Sequence, residues 1–346
     1  MPSPRLLTVA LDQILRKLVP RLSGEIFDAS FRPSSVVTTL AAVDDSLTLL
    51  IDAPSLFFRA FFSTPPSVTT PDKHPINAAH GFIYMLARLI EDHQPDYLAC
   101  ASDENWRPQW RVDLIPSYKE VRAQPNSQQA QTEVVLGPQV PVLYAMLDLF
   151  GIKVVGHPDA EAEDVIGTLA QRAPGKVSIV SGDRDLFQLV EDPKTQVLYP
   201  VRGVSKLDFV DEKFIATKYG IPSRAYRDFA VLRGDNSDGL PGVGGIGEKL
   251  AGSLVDKYGS IDAILDAARE GTPGRLLDKV RKDIDYVEAA VRVCTITCDL
   301  ELPEIDLALP TEIDEDAILA GAERLGLLGP CRALVAALDR SDERAN

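Results

Sequence analysis

The chain has 346 residues, enough for two cores, and at 45% hydrophobic and 25% charged its composition is that of a globular protein. It contains no run of about 18 apolar residues, which argues against a membrane-spanning helix. The net charge of -15 weighs against a nucleic-acid partner only as a sum. Residues 299–316 hold eight acids and no base, while 107–122 hold four bases and two acids, so the negative excess can sit away from a binding face.

Residues 1–46 read differently from the rest. "RLLTVALDQILRKLVPRL" suggests a short basic amphipathic helix, followed by linker-like sequence. The small-residue cleavage pattern of a secretory signal is missing, and 1–46 reads as a flexible extension. From 47 onward apolar runs alternate with helical periods. "LTLLID" (47–52) predicts a strand, and "AHGFIYMLARLIEDH" (79–93) a helix with Phe82, Met85, Leu86 and Leu89 on one face. "DYLACASD" (96–103) predicts a second strand, and a helix ending at Gly151 leads to a third, "IKVV" (152–155). "DAEAEDVIGTLAQRA" (159–173) predicts a helix capped by Asp159; "KVSIVSGD" (176–183) and "TQVLYP" (195–200) follow as strands. This alternation argues for an α/β fold: a mostly parallel sheet flanked by helices, with ligand sites at the carboxyl ends of its strands. Beyond about 205 the periods turn helical. The expected division is an α/β unit over 47–204, an all-helical region over 205–338 and a tail over 339–346.

The predicted strands end in acids: Asp52 after the first, Asp103 after the second, Asp183 and Asp185 after the fourth. Glu161, Glu163 and Asp164 follow the third, and on a helix Glu161 and Asp164 would share one face. Each alone reads as a cap or a solvated loop residue. Gathered at one sheet edge, such carboxylates would bind protons unless cations intervened. Oxygen-only ligands select hard ions such as Mg²⁺ or Mn²⁺, and two of them about 4 Å apart can drive in-line phosphoryl displacement. Further on, Asp235 and Asp238 could be a plain turn pair. "GVGGIG" (242–247) matches G-x-G-x-x-G, but polar, proline-containing sequence precedes it where a dinucleotide fold needs a strand. A glycine hairpin between two helices remains, either a plain corner or a phosphate grip through exposed N–H groups, with Lys249 adding charge. The four cysteines (Cys100, Cys294, Cys298, Cys331) have no metal spacing and read as reduced thiols; the four histidines form no H-x-x-x-H pair.

"LLIDAPSLFFRAF", "WRVDLIPSYKEVR", "DAEAEDVIGTLA", "SGDRDLFQLV" and "GDNSDGLPGVGGIGEKLAGSLVDKYGSIDAIL" resemble, in order, the motifs of the bacterial 5′-nuclease family. These are the flap endonucleases and 5′–3′ exonucleases related to the amino-terminal domain of DNA polymerase I, and the resemblance covers roughly 47–310. It implies a PIN-like catalytic domain, a helical arch around 104–130 and a helix–hairpin–helix-type DNA-binding region. It implies Mg²⁺ or Mn²⁺ at two or more sites held by Asp52, Asp103, Glu161, Glu163, Asp164, Asp183, Asp185, Asp235 and Asp238, with Glu163 the weakest ligand because the family usually has Asp there. Lys119, Arg111 and Arg122 match the basic residues of the arch, Lys119 and Arg111 over the scissile phosphate. Phe58, Arg59 and Tyr118 would meet DNA at the active site, and Gly242, Gly244, Gly245, Gly247 and Lys249 at the hairpin, whose carbonyls would hold K⁺. "DGLPG" departs from the family's usual "DNIPG" at Gly239. The implied partner is branched or nicked DNA with a free 5′ end, with an RNA strand in the flap also accommodated. The expected protein is a stand-alone, monomeric, cytoplasmic, nucleoid-associated enzyme with no membrane partner. Two other readings stand beside this one: a catalytically silent DNA-binding relative, and a PIN-type ribonuclease.

Overall fold

The computed structural model describes residues 45–345; the expected extension over 1–46 lies almost wholly outside them. Six strands form one sheet: β1 (Leu47–Asp52), β2 (Tyr97–Ala101), β3 (Lys153–Val155), β4 (Lys176–Val180), β5 (Thr195–Pro200) and β6 (Leu207–Val210). Their order is β3-β2-β1-β4-β5-β6. The first five are parallel, and β6 returns antiparallel to β5. The chain therefore builds outward from β1 in one direction and then, through β4, in the other. That reversal beside β1 is where an open α/β sheet forms a crevice at its carboxyl edge.

β1 is apolar because both faces of the sheet are covered. Leu49 and Ile51 point into one core and Leu50 into the other, each 1% exposed or less. Such burial stabilises by about 1.5–3 kcal/mol per side chain. The Leu49 face packs on helices Asn77–His93 and Val140–Leu149. The Leu50 face packs on helix Ala162–Arg172 and continues into the helical region. Phe82, Leu86 and Leu89 are buried as the 3.6-residue period required.

Two of the expected boundaries move. The sheet does not end at 204, since β6 pairs with β5 from Leu207 to Val210. Four residues at an edge, with Phe209 exposed, leave little periodicity to read. The helical region does not run unbroken to 338: helices Glu315–Leu325 and Leu328–Ala345 bury Ile318, Leu325, Leu334 and Leu338 in the core beneath helix Asn77–His93. Residues 339–345, expected as a tail, continue the last helix. The six α-helices between Glu212 and Cys294 make up the helical region proper. Among the described residues no helix is long and apolar enough to cross a membrane.

Candidate active site at the carboxyl edge of the sheet

Asp52 is both the last residue of β1 and the N-cap of helix Ala53–Ser63. It accepts hydrogen bonds from the Ser55 N–H at 3.1 Å and from the Ser181 hydroxyl. Burial, aided by the charges of Asp183 and Asp103, overrides those bonds and pushes its pKa up to about 7. Asp103, just past β2, accepts the Ala162 N–H at 2.7 Å and so fastens the end of β2 to the start of helix Ala162–Arg172. Beyond β4, the Asp183 N–H donates to Ser181 Oγ and the Asp185 N–H to Asp183 Oδ1, each at 2.9 Å. Burial first, then the charges of Asp183, Asp238 and Asp235, hold the Asp185 carboxyl well above the usual range. Asp185 opens a 3₁₀ turn, Asp185–Leu189, that buries Leu186 and Phe187. The two acids are thus held at the rim by apolar residues directly behind them.

The opposite wall differs from expectation. The helix expected to be capped by Asp159 begins at Ala162, with Glu161 as N-cap in extended backbone. Helical spacing therefore does not relate Glu161 to Asp164. The Asp164 carboxylate turns back to accept the Glu161 N–H at 3.1 Å, and it also takes Arg111 Nη2 and the Thr297 N–H at 2.8 Å each. It is fully buried and faces away from the cleft, whereas Glu163, expected as the weakest ligand, lines it.

Arg111 is likewise fully buried. Its guanidinium stands 2.9 Å from Glu161, 2.8 Å from Asp164 and 3.4 Å from Glu163. It is a counter-charge beneath the acids, and the expected position over a scissile phosphate is not where the fold puts it. Tyr118, expected at the DNA, is 3% exposed and donates its hydroxyl to Glu161 Oε1 at 2.7 Å. Lys119 does line the cleft, with Nζ on Glu161 Oε2. Burial works against its charge, but Glu161 and neighbouring acids more than offset that, and its pKa is raised. Arg122 pairs with Asp238.

One cleft of about 880 Å³ takes in Asp52, Asp103, Glu161, Glu163, Asp183, Asp185, Asp235 and Asp238, eight of the nine expected acids. Phe58, Arg59, Lys119 and Arg122 line it too. So do Trp106 and Phe62, which are not among the expected site residues. The signal for Phe62 was its position four residues, one helical turn, after Phe58. Asp235 and Asp238 belong to the helical region, in the loop after helix Tyr226–Arg233. That loop docks at Gly239, whose φ is +70°. A Cβ there would come within 1.9 Å of the Ser117 carbonyl oxygen, and the Lys119 N–H donates to the Asp238 carbonyl at 2.8 Å. The glycine that departs from the family pattern is what this close approach requires.

Among the described residues no three acidic, histidine or cysteine side chains converge as a ready cation cage. Ion pairs within the cleft fall on Glu161, Glu163 and Asp238. Asp52, Asp103, Asp183 and Asp185 form no ion pair; Asp183 and Asp103 repel Asp52, Asp183 repels Asp185, and Asp103 feels Lys119 and Arg122 at longer range. That donor set is all oxygen, net negative and partly desolvated, and it fits hard divalent cations.

The glycine hairpin lies between helix Tyr226–Arg233 and helix Glu248–Tyr258, as expected. Gly242 is buried, with its N–H donated to the Tyr286 hydroxyl at 2.9 Å, so it is closed to DNA. Gly244, Gly245, Gly247 and Lys249 are exposed.

The family models that match are described as "5'-3' exonuclease, N-terminal resolvase-like domain", over residues 47–220, and "5'-3' exonuclease, C-terminal SAM fold", over 221–315. A "5'-3' exonuclease" of Streptomyces coelicolor is 45% identical over 302 residues, covering 84% of this chain and 99% of that protein. A "DNA polymerase I" of Mycobacterium bovis is 35% identical over 277 residues, 78% of this chain and 30% of the polymerase. A crystal structure of the bacteriophage T5 D15 flap endonuclease, in a complex with DNA and metal ions, superposes with a TM-score of 0.58 at 16% identity, covering 85% of this chain and 99% of that one.

Proposed function

The chain belongs to the 5′–3′ exonuclease family, and on that premise we propose that it hydrolyses phosphodiesters near the free 5′ end of branched or nicked DNA. The observation that carries this reading is the meeting of acids from three parallel strand ends with Asp235 and Asp238 of the helical region in one cleft. Mg²⁺ or Mn²⁺ ions, when bound, activate water and offset charge on the leaving oxygen. Asp52, Asp103, Asp183 and Asp185, which form no ion pair in the cleft, are the residues that would hold them, with Glu161, Glu163, Asp235 and Asp238 lining the same cleft.

The rest of the work falls to the chain's own cations and rings. Lys119 and Arg122 bring positive charge to the wall of the cleft, where it can stabilise charge developing on a phosphate. Arg59 is held on Gly182, where any Cβ would come within 2.2 Å of the guanidinium. Phe58, Phe62 and Trp106 offer faces on which bases of an unpaired end can stack.

The test is to incubate the protein with a 5′-flapped DNA duplex in Mg²⁺ or Mn²⁺, with and without chelator, beside the same flap made of RNA. Cutting near the flap junction that stops with chelator is the expected result. Binding without cutting would make the protein a silent relative, and cutting of RNA alone would make it a ribonuclease. For Lys119→Ala the cleavage rate should fall by about 10²-fold while duplex affinity changes by less than about threefold. An affinity loss at constant rate would remove Lys119 from the reaction.

A further inference from the structure

The family resemblance implies a monovalent cation on the carbonyls of the glycine hairpin. Here those carbonyls already have a cation. Lys279, on helix Arg275–Lys282, donates hydrogen bonds from Nζ to the carbonyl oxygens of Gly244 at 3.1 Å and Gly245 at 2.9 Å. Four residues on, Asp283 Oδ2 accepts the Gly244 N–H at 3.1 Å, and the Tyr286 hydroxyl accepts that of Gly242. One short stretch, 279–286, thus serves both polarities of the hairpin backbone. The fit is close: Gly245 has φ +73°, and a Cβ there would stand 2.2 Å from the Lys279 ammonium. The positive φ favours glycine at 245, and a side chain there would displace the ammonium from its present position.

An ammonium has three donors and can satisfy two carbonyls at once, while a K⁺ ion beside it would meet a like charge. The implied K⁺ and these residues do not fit together. We infer that Lys279 is a built-in replacement for the monovalent cation, so that the hairpin keeps its DNA-binding shape whether or not K⁺ is present. Lys279 acts through the hairpin and is a positioning residue. The inference rests on the DNA-binding reading above for its consequence, and on the hairpin geometry alone for its cation.

Two measurements test it. The first is affinity for a fluorescently labelled nicked duplex, with divalent ions chelated, in KCl and in tetramethylammonium chloride at equal ionic strength. The second cation is too bulky for a carbonyl site. The wild type should bind equally in both to within about twofold, while Lys279→Met, which keeps the aliphatic stem, should bind at least about fivefold more weakly in tetramethylammonium and recover in K⁺. A wild type that itself needs K⁺, or a variant indistinguishable from wild type in both salts, overturns the inference. The second measurement is anomalous scattering from crystals soaked in Rb⁺. A peak at the Gly244 and Gly245 carbonyls is expected in Lys279→Met and not in wild type; the reverse, or no peak in the variant, overturns it. A wild type that binds no DNA in either salt would overturn the DNA-binding reading, and the Rb⁺ result would still decide whether Lys279 holds the carbonyls.

Discussion

Asp183→Asn is expected to cut a 5′-flapped duplex at least about a hundredfold more slowly than the wild type in Mg²⁺, a loss of roughly 2.7 kcal/mol of transition-state stabilisation. Asp183 lies past the end of β4, where its Oδ1 accepts the Asp185 N–H, and no basic residue of the cleft pairs with it. Asparagine keeps the acceptor oxygen and removes the charge, so the turn should survive while the hold on a divalent ion weakens. DNA affinity should not fall, because one negative charge fewer faces the phosphates. Single-turnover cleavage and equilibrium binding on the same duplex separate the two effects. A variant that cuts at the wild-type rate would remove Asp183 from the ion-binding set.

Arg111→Met is expected to act on stability. Arg111 is fully buried among Glu161, Glu163 and Asp164, and burial alone would disfavour its charge. The acids around it more than offset that and hold the guanidinium well above its ordinary pKa. Removing one partner of a buried ionic cluster leaves the others uncompensated and costs roughly 3–5 kcal/mol. At about 2–4 °C per kcal/mol, the melting temperature should fall by roughly 6–20 °C. Calorimetry at neutral pH checks this. If the variant melted like the wild type yet failed to cut, Arg111 would belong to the reaction after all.

The contrast between Arg111 and Lys119 marks where sequence reasoning stops. Both lie in one basic segment, eight residues apart, and both match the same family motif. Lys119 reaches the cleft; Arg111, on the short helix Gln109–Leu114, turns inward beneath it. No periodicity separates them, because short helices such as Gln109–Leu114 and Glu120–Ala123 carry too few turns to set a face. Asp164 and Glu163 exchanged places for a related reason. Helical spacing puts Glu161 and Asp164 on one face only if both lie inside the helix, and Glu161 caps it instead. A shift of two residues in a helix start takes the residues before it out of the helical period, so their side chains no longer follow that spacing.

The β6 strand and the last two helices were hidden for other reasons. β6 is too short to show alternation, and Glu315–Leu325 and Leu328–Ala345 are ordinary amphipathic helices whose partners, Val140–Leu149 and Asn77–His93, lie far earlier in the chain. By contrast, the acids at 52, 103, 183 and 185 could be placed from local pattern alone. Each follows a run of apolar residues buried on both faces, and in a parallel sheet all such runs end at the same edge.

The amino-acid pattern by itself determined a mostly parallel sheet, the edge on which its acids collect and a glycine hairpin between two helices, because strand period, apolar run length and glycine placement are properties of neighbouring residues. Only the tertiary structure decided which charges stay in the cleft and which are sealed under it, that the Asp235–Asp238 loop comes across to meet the sheet edge at Gly239, and that Lys279 reaches back to the hairpin carbonyls. Those outcomes depend on where side chains from distant segments meet and which of them water can still reach, and neither is written in the spacing of residues along the chain.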